Sequence, residues 1–290
     1  MATGDILAQV ADQRTSEEIL QKINDANIDI ENNFKLVNST IGTDNPVPLD
    51  TIILQAVYGN VFEYQTAGNF ELLIPATVSK IKITACGAGG GGGGASNARY
   101  GSGGGGGGDA IVDREYSVVP QSKISITVGK GGVAAKNKNG TDGGATIISD
   151  LVTLAGGKGG TVGTASNNIG TGGQGSGNGG AGTSGAYLKN GQPNTLLTTQ
   201  TGGNGLIGKG GAGTSITVST DGAYDSACGI GGAGGGSLGN GGGANTHQQA
   251  GTKPTRGGGG GGGSAWYNGS TETVRQTNGA DGYVKIVWGY

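Results

Sequence analysis

The chain has 290 residues, of which 69 are glycine, 6 proline and 2 cysteine, with a formal net charge of −2. Glycine at several times its average share without a Gly-X-Y period or abundant proline excludes collagen, and recurring strand-like patches exclude a disordered linker. No run of 18 apolar residues or strong basic surplus occurs, so the composition predicts no membrane insertion and no nucleic-acid partner.

Residues 1–44 read as a helical oligomerisation or attachment segment. Met1–Gln13 lacks the basic and apolar regions of a secretory signal, which predicts a chain made in the reducing cytoplasm, with Cys86 and Cys228 as buried thiols. Thr15-Ser-Glu-Glu18 has the form of a capping box, so a helix is expected from about Ser16. Ile19, Ile23, Ala26, Ile30, Asn33 and Val37 then form a heptad seam flanked by Leu20, Asn27, Phe34 and Ile41. An isoleucine-rich seam with one asparagine fits a parallel homo-oligomer, while an amphipathic helix docked on its own domain stays open as the alternative. Gly42 ends the helix, and Asp44-Asn-Pro-Val-Pro48 begins a linker, because proline disfavours helix at and before its position.

Residues 45–65 hold the linker and a first strand pair, 51–57 with 61–64. Residues 66–290 form the second domain. There the apolar period becomes two, predicting strands at 69–74, 80–85, 110–118, 123–128, 145–148, 152–155, 215–219 and 283–288. Asp142-Gly143, Asp221-Gly222 and Asp281-Gly282 read as turns. Glycine tracts separate the strands at 87–94, 103–108, 156–182, 202–213, 229–243 and 257–263, interrupted by Lys158, Gln174, Asn178 and Lys209. Charge divides the same way: 5 basic against 11 acidic side chains before Gly87, 13 against 9 after it.

Ordering a glycine costs about 0.5–1 kcal/mol more than ordering an alanine, and its side chain returns nothing. Backbone hydrogen bonds, at a net of about 0.5–1.5 kcal/mol each, are the only term of similar size. The geometry that uses them is an extended helix of three residues per turn, whose donors and acceptors point sideways to neighbouring tracts. Residues 257–263 would span about 22 Å in that form, at ~3.1 Å per residue. The fold class expected is mainly β: a β-sandwich-like domain with polyglycine-type helices, preceded by the short helical segment.

Phe70-Glu-Leu-Leu-Ile-Pro75, Val78-Ser-Lys-Ile-Lys-Ile83 and the run from Cys86 to Gly94 stand in a characteristic order. Tyr116-Ser-Val-Val-Pro-Gln-Ser-Lys-Ile-Ser-Ile-Thr-Val-Gly-Lys-Gly-Gly132 and Gly279-Ala-Asp-Gly-Tyr-Val-Lys-Ile-Val-Trp288 follow. Together, over about residues 66–290, they resemble the glycine-rich domain at the ends of bacteriophage tail fibres. The resemblance implies a virion-borne receptor-binding protein, or adhesin, that bundles polyglycine helices and presents loops to a host cell-surface glycan or protein. A fibre component of this kind would join the phage tail, baseplate or another fibre protein through its N-terminal segment, as a homotrimer.

Between the tracts, 95–100, 133–139, 187–200, 224–228, 245–256 and 264–278 carry Arg99, Tyr100, Tyr187, Tyr224, His247, Arg256, Trp266, Tyr267 and Arg275 among small polar residues. Tyr, Trp and Arg beside Ser, Asn and Thr is the composition of antibody-like binding loops. Catalytic motifs are missing. Each Gly-Lys pair is followed by glycine, which excludes a P-loop, and chance alone yields roughly seven Gly-x-Gly-x-x-Gly matches at this composition. No cofactor or metal is expected, and the chain reads as a binding protein rather than an enzyme. Two alternatives stay open: a purely structural virion or surface-coat protein, and a surface-glycan hydrolase working through Asp221, Asp225 or His247.

Overall fold

From Lys80 to Cys86, lysines and threonine alternate with Ile81, Ile83 and Ala85, and the three apolar residues are fully buried. A half-buried strand requires that period. The computed structural model describes residues 60–94, 100–164, 166, 169–189, 195–218, 227–246, 249–267 and 272–289. The chain divides into two units, Met1–Gly59 and Asn60–Tyr290. The expected helix and its seam, Ile19 to Val37, and the strand at 51–57 lie outside the described residues.

Among the described residues fourteen strands follow in chain order: β1 (Val61–Tyr64), β2 (Gly68–Leu73), β3 (Lys80–Cys86), β4 (Ala110–Ser117), β5 (Lys123–Val128), β6 (Thr146–Ile148) and β7 (Val152–Leu154). After them come β8 (Ala186–Lys189), β9 (Thr195–Thr198), β10 (Ser215–Val218), β11 (Ala227–Ile230), β12 (Ser264–Tyr267), β13 (Glu272–Arg275) and β14 (Tyr283–Val287). The fold is mainly β, and no described residue is helical.

Two four-stranded antiparallel sheets, ordered β1-β14-β3-β4 and β2-β5-β6-β7, share one core. Ile81, Ile83, Val284 and Ile286 from the first meet Leu72, Ile124, Ile126 and Ile148 from the second. β2 and β3, consecutive in the chain, therefore fall in different sheets, whereas β6 and β7 form a hairpin. β2 pairs with β5, with Phe70 opposite Ile126, while β3 lies between β4 and the C-terminal β14. β1 takes β14 as its partner, Val61 facing Val287, so the two ends of this unit close the sheet together.

Above the sheets the glycine tracts run back and forth, bonded to one another. The tract at 101–109 shows the rule. Gly103, Gly106 and Asp109 donate to Thr161, Lys158 and Ala155; Gly104 and Gly107 to Thr183 and Gly180; Gly105 and Gly108 to Gly260 and Gly257. Its carbonyls accept in the same rhythm, from Gly170, Gly173 and Ser176, from Gly232 and Gly235, and from Gly90 and Gly93. Six neighbouring tracts thus surround this one, and every third residue faces the same neighbour.

That packing excludes side chains. A Cβ on Gly89 would collide with the carbonyl of Gly258, on Gly90 with that of Lys158, on Gly92 with that of Gly261. At the outer face the rule relaxes with the same period. In residues 155–164 every third position is non-glycine, Ala155, Lys158, Thr161 and Thr164, whereas Gly157, Gly160 and Gly163 are buried. Lys158, Gln174, Asn178 and Lys209 are exposed and mark the lattice's outer face rather than breaks in it.

The run 156–182 folds into antiparallel passes, reversing at 177–178, where Gly177 has φ +49°. The structure corrects one expectation. Asp142-Gly143 and Asp281-Gly282 are not turns. Their carboxylates clamp the lattice instead, Asp142 accepting from Gly159 and Asp281 from Ala67 and Gly131. What holds the tracts is bonding between them.

Candidate functional site

Each tract runs between the sandwich and a far end. Residues 87–94 leave β3 and 101–109 return to β4, bonded antiparallel through Gly93 to Gly103, Gly90 to Gly106 and Gly87 to Asp109. The same pairing extends across the described lattice. The reversals at 177–178, 206–207, 238–239 and Arg256 lie at the sandwich end. Gly94, residues 135–138, Thr164, Ile169 and Thr246 lie at the far end.

Three two-stranded ribbons rise from the same far end. β8 pairs with β11, β9 with β10 and β12 with β13, all antiparallel. Gly262 donates to Gly232 and Gly231 to Asn245, so β11 and β12 leave the lattice side by side. Four-residue stretches such as Thr195-Leu-Leu-Thr198 form these ribbons; apart from β10, expected at 215–219, they read as loops while glycine dominated their surroundings. The sequence reading assigned 187–200, 224–228 and 264–278 to binding loops; the structure puts strands in all three.

The ribbons fix where the expected binding residues fall. Trp266 stands opposite Thr273, Tyr267 opposite Glu272, Arg275 opposite Ser264, and Tyr187 opposite Gly229. Tyr100 is half-buried where tract 101–109 begins, next to Gly101, which bridges to Ile169. Buried Ser102 fastens this corner, donating through Oγ to the Gly94 carbonyl at 2.8 Å and accepting from Gly163 at 3.3 Å. Arg99, Tyr224 and His247 lie outside the described residues, and so do Asp221 and Asp225. Exposed Leu196 and Ile169 belong to the same end and escaped the sequence reading, because isolated apolar residues carry no periodic signal.

Arg256 does not join them. It sits at the sandwich end with φ +36°, its guanidinium 4.5 Å above the ring of buried Tyr283. Burial, helped by a hydrogen bond with Glu63, pushes the Tyr283 hydroxyl up to about 12. Beside it, burial pushes the Cys86 thiol up to about 12, so it is neutral at physiological pH. These residues join the sandwich to the lattice. Among the described residues no group of three or more His, Cys, Asp or Glu side chains is placed to hold a metal ion.

A family model for the glycine-rich domain matches residues 65–289. This chain belongs to the glycine-rich domain family. The match takes in every described strand except β1, together with the described lattice. No curated protein matches the chain.

Proposed function

We propose that this glycine-rich domain protein is a phage tail-fibre or receptor-binding subunit that attaches the virion to a bacterial surface glycan or protein. The observation that carries the reading is the common placement of Tyr100, Tyr187, Trp266, Tyr267 and Arg275 at the lattice end remote from the sandwich. Arg99, Tyr224 and His247 follow or precede chain that ends there. Aromatic faces stack on sugar rings and amides bond hydroxyls, and a rigid glycine base reduces the ordering cost of binding.

In this reading the tracts wind as polyglycine-type helices of three residues per turn, consistent with the period-three bonding. Residues 1–44 oligomerise the subunit, with Ile19, Ile23, Ala26, Ile30, Asn33 and Val37 as the seam of a homotrimer, and attach it to the tail. Several weak sites on one particle raise avidity about 10²–10⁴-fold without new contacts. The test is competition: full-length protein added to host cells should block attachment of the phage. Unimpaired attachment, or blocking that survives replacement of Trp266, Tyr267 and Tyr100, would favour a structural coat protein, and release of reducing sugar would favour a hydrolase.

A further inference from the structure

Asparagine followed by glycine is the sequence most prone to spontaneous deamidation. The glycine nitrogen loses its proton and attacks the asparagine Cγ, ammonia leaves, and water opens the resulting succinimide to aspartate or isoaspartate. The step needs a free glycine N–H and a side chain able to swing over it. Five Asn-Gly sequences stand among the described residues, at Asn139, Asn178, Asn204, Asn240 and Asn278.

In all five, both requirements are blocked. The glycine N–H is already donated: Gly140 to Gly160 at 2.8 Å, Gly179 to Ser176 at 2.7 Å, Gly205 to Gly208 at 2.8 Å, Gly241 to Lys209 at 2.9 Å and Gly279 to Gly132 at 2.8 Å. Each side chain is held as well. Asn139 Oδ1 accepts from Val162 at 2.9 Å, Asn204 Oδ1 from Gly210 at 3.1 Å, Asn240 Oδ1 from Lys209 at 2.9 Å and Asn278 Oδ1 from Ala134 at 2.9 Å. Asn178 donates through Nδ2 to the Ala110 carbonyl at 3.3 Å.

We infer that the lattice makes these five asparagines chemically inert, so that they deamidate only when the tracts come apart. Four of the asparagines cap donors at the lattice's margins and Asn178 caps a carbonyl, and the same bonds preserve them. Isoaspartate at any of them would lengthen the main chain by one methylene and break the period of three. Two further Asn-Gly sequences, at 190 and 268, lie outside the described residues and form no part of the inference.

The experiment ages the full-length protein at mildly alkaline pH, natively and in urea, and follows each of the five sites by peptide mass mapping. Opening two hydrogen bonds first should slow each native site by roughly ten- to a hundredfold against the urea sample. A Lys209→Pro variant lacks the N–H that holds Asn240 and should accelerate that site several-fold while the other four stay slow. If Lys209→Pro unfolds the protein, all five sites accelerate together, and Val162→Pro, which frees Asn139, replaces it. Native sites that convert as fast as in urea, or folded variants in which the freed asparagine is no faster than in the parent, would overturn the inference.

Discussion

Gly105 donates its amide proton to the carbonyl of Gly260 at 2.7 Å, while a Cβ on Gly105 would collide with the carbonyl of Gly90. Bond and exclusion are two sides of one fact: the tracts approach so closely that their main chains are each other's packing surface. Gly105→Ala should therefore destabilise the protein by on the order of 2–4 kcal/mol, as overpacking of a backbone that cannot yield. Lys209→Ala, on the exposed face of another tract, should stay within about 0.5 kcal/mol. Denaturant unfolding of the two variants checks the contrast.

Asp281 holds the amides of Ala67 and Gly131 on its two carboxylate oxygens, at 3.1 and 2.8 Å, linking the chain before β2 to the lattice. Asp281→Ala leaves both donors without that acceptor and should cost about 2–5 kcal/mol, near 1–3 kcal/mol for each unsatisfied donor at most. Loss of amide protection at Ala67 and Gly131, measured by hydrogen exchange, locates the effect.

Asp142 donates no proton at neutral pH and pairs with Lys158 at 2.7 Å, and the hydrogen bond from Lys158 holds its carboxyl below the usual carboxylate range. A lowered carboxylate stabilises the fold above its unfolded value, about 3.9, and that contribution disappears as pH falls through the lower folded value. The pair is exposed, so the effect is small. Asp142→Asn should lower stability slightly and evenly above about pH 4 and converge with the parent as pH falls below it, so that its acid limb is flatter, as read by thermal unfolding across pH.

Cys86 is fully buried, with its thiol near 12. In the unfolded chain it ionises near 8.5, so the folded state keeps the proton longer and stability from this group falls as pH rises from about 8.5 towards 12. Thiol reagents should label Cys86 only on unfolding. Mass mapping after labelling, with and without denaturant, distinguishes it from Cys228.

Under the proposed receptor-binding reading, Trp266→Ala should weaken competition for host cells by roughly 30-fold or more, the loss of an aromatic anchor worth about 2 kcal/mol. Arg256→Ala, at the opposite end, should leave competition intact while lowering stability. Cell-binding titrations with both variants test which end meets the host.

Much of the sandwich was legible because its core strands obey a period of two: 123–128 is β5, and 110–118, 145–148, 152–155 and 283–288 contain β4, β6, β7 and β14 within one residue at either end. Of the ribbons only β10 was legible, within 215–219; four-residue strands such as β9 and β12 are too short for periodicity to register against polar, glycine-rich flanks. A second period went unread. The spacing of Ala155, Lys158, Thr161 and Thr164 already states three residues per repeat and one outward face, but it looks like interruption until the neighbouring tracts are in place.

Sequence alone determined that this chain must satisfy its glycines through the main chain, because no side chain was there to do it. It also determined the family, since the order of the motifs survives without any coordinates. Which tract bonds to which was decided only by the tertiary structure, as was the separation of Arg256 from Trp266 and Tyr267 to opposite ends. The reason is that glycines are chemically identical: a bond between Gly105 and Gly260 leaves no mark in composition or local pattern, and only the paths of all the tracts together select it.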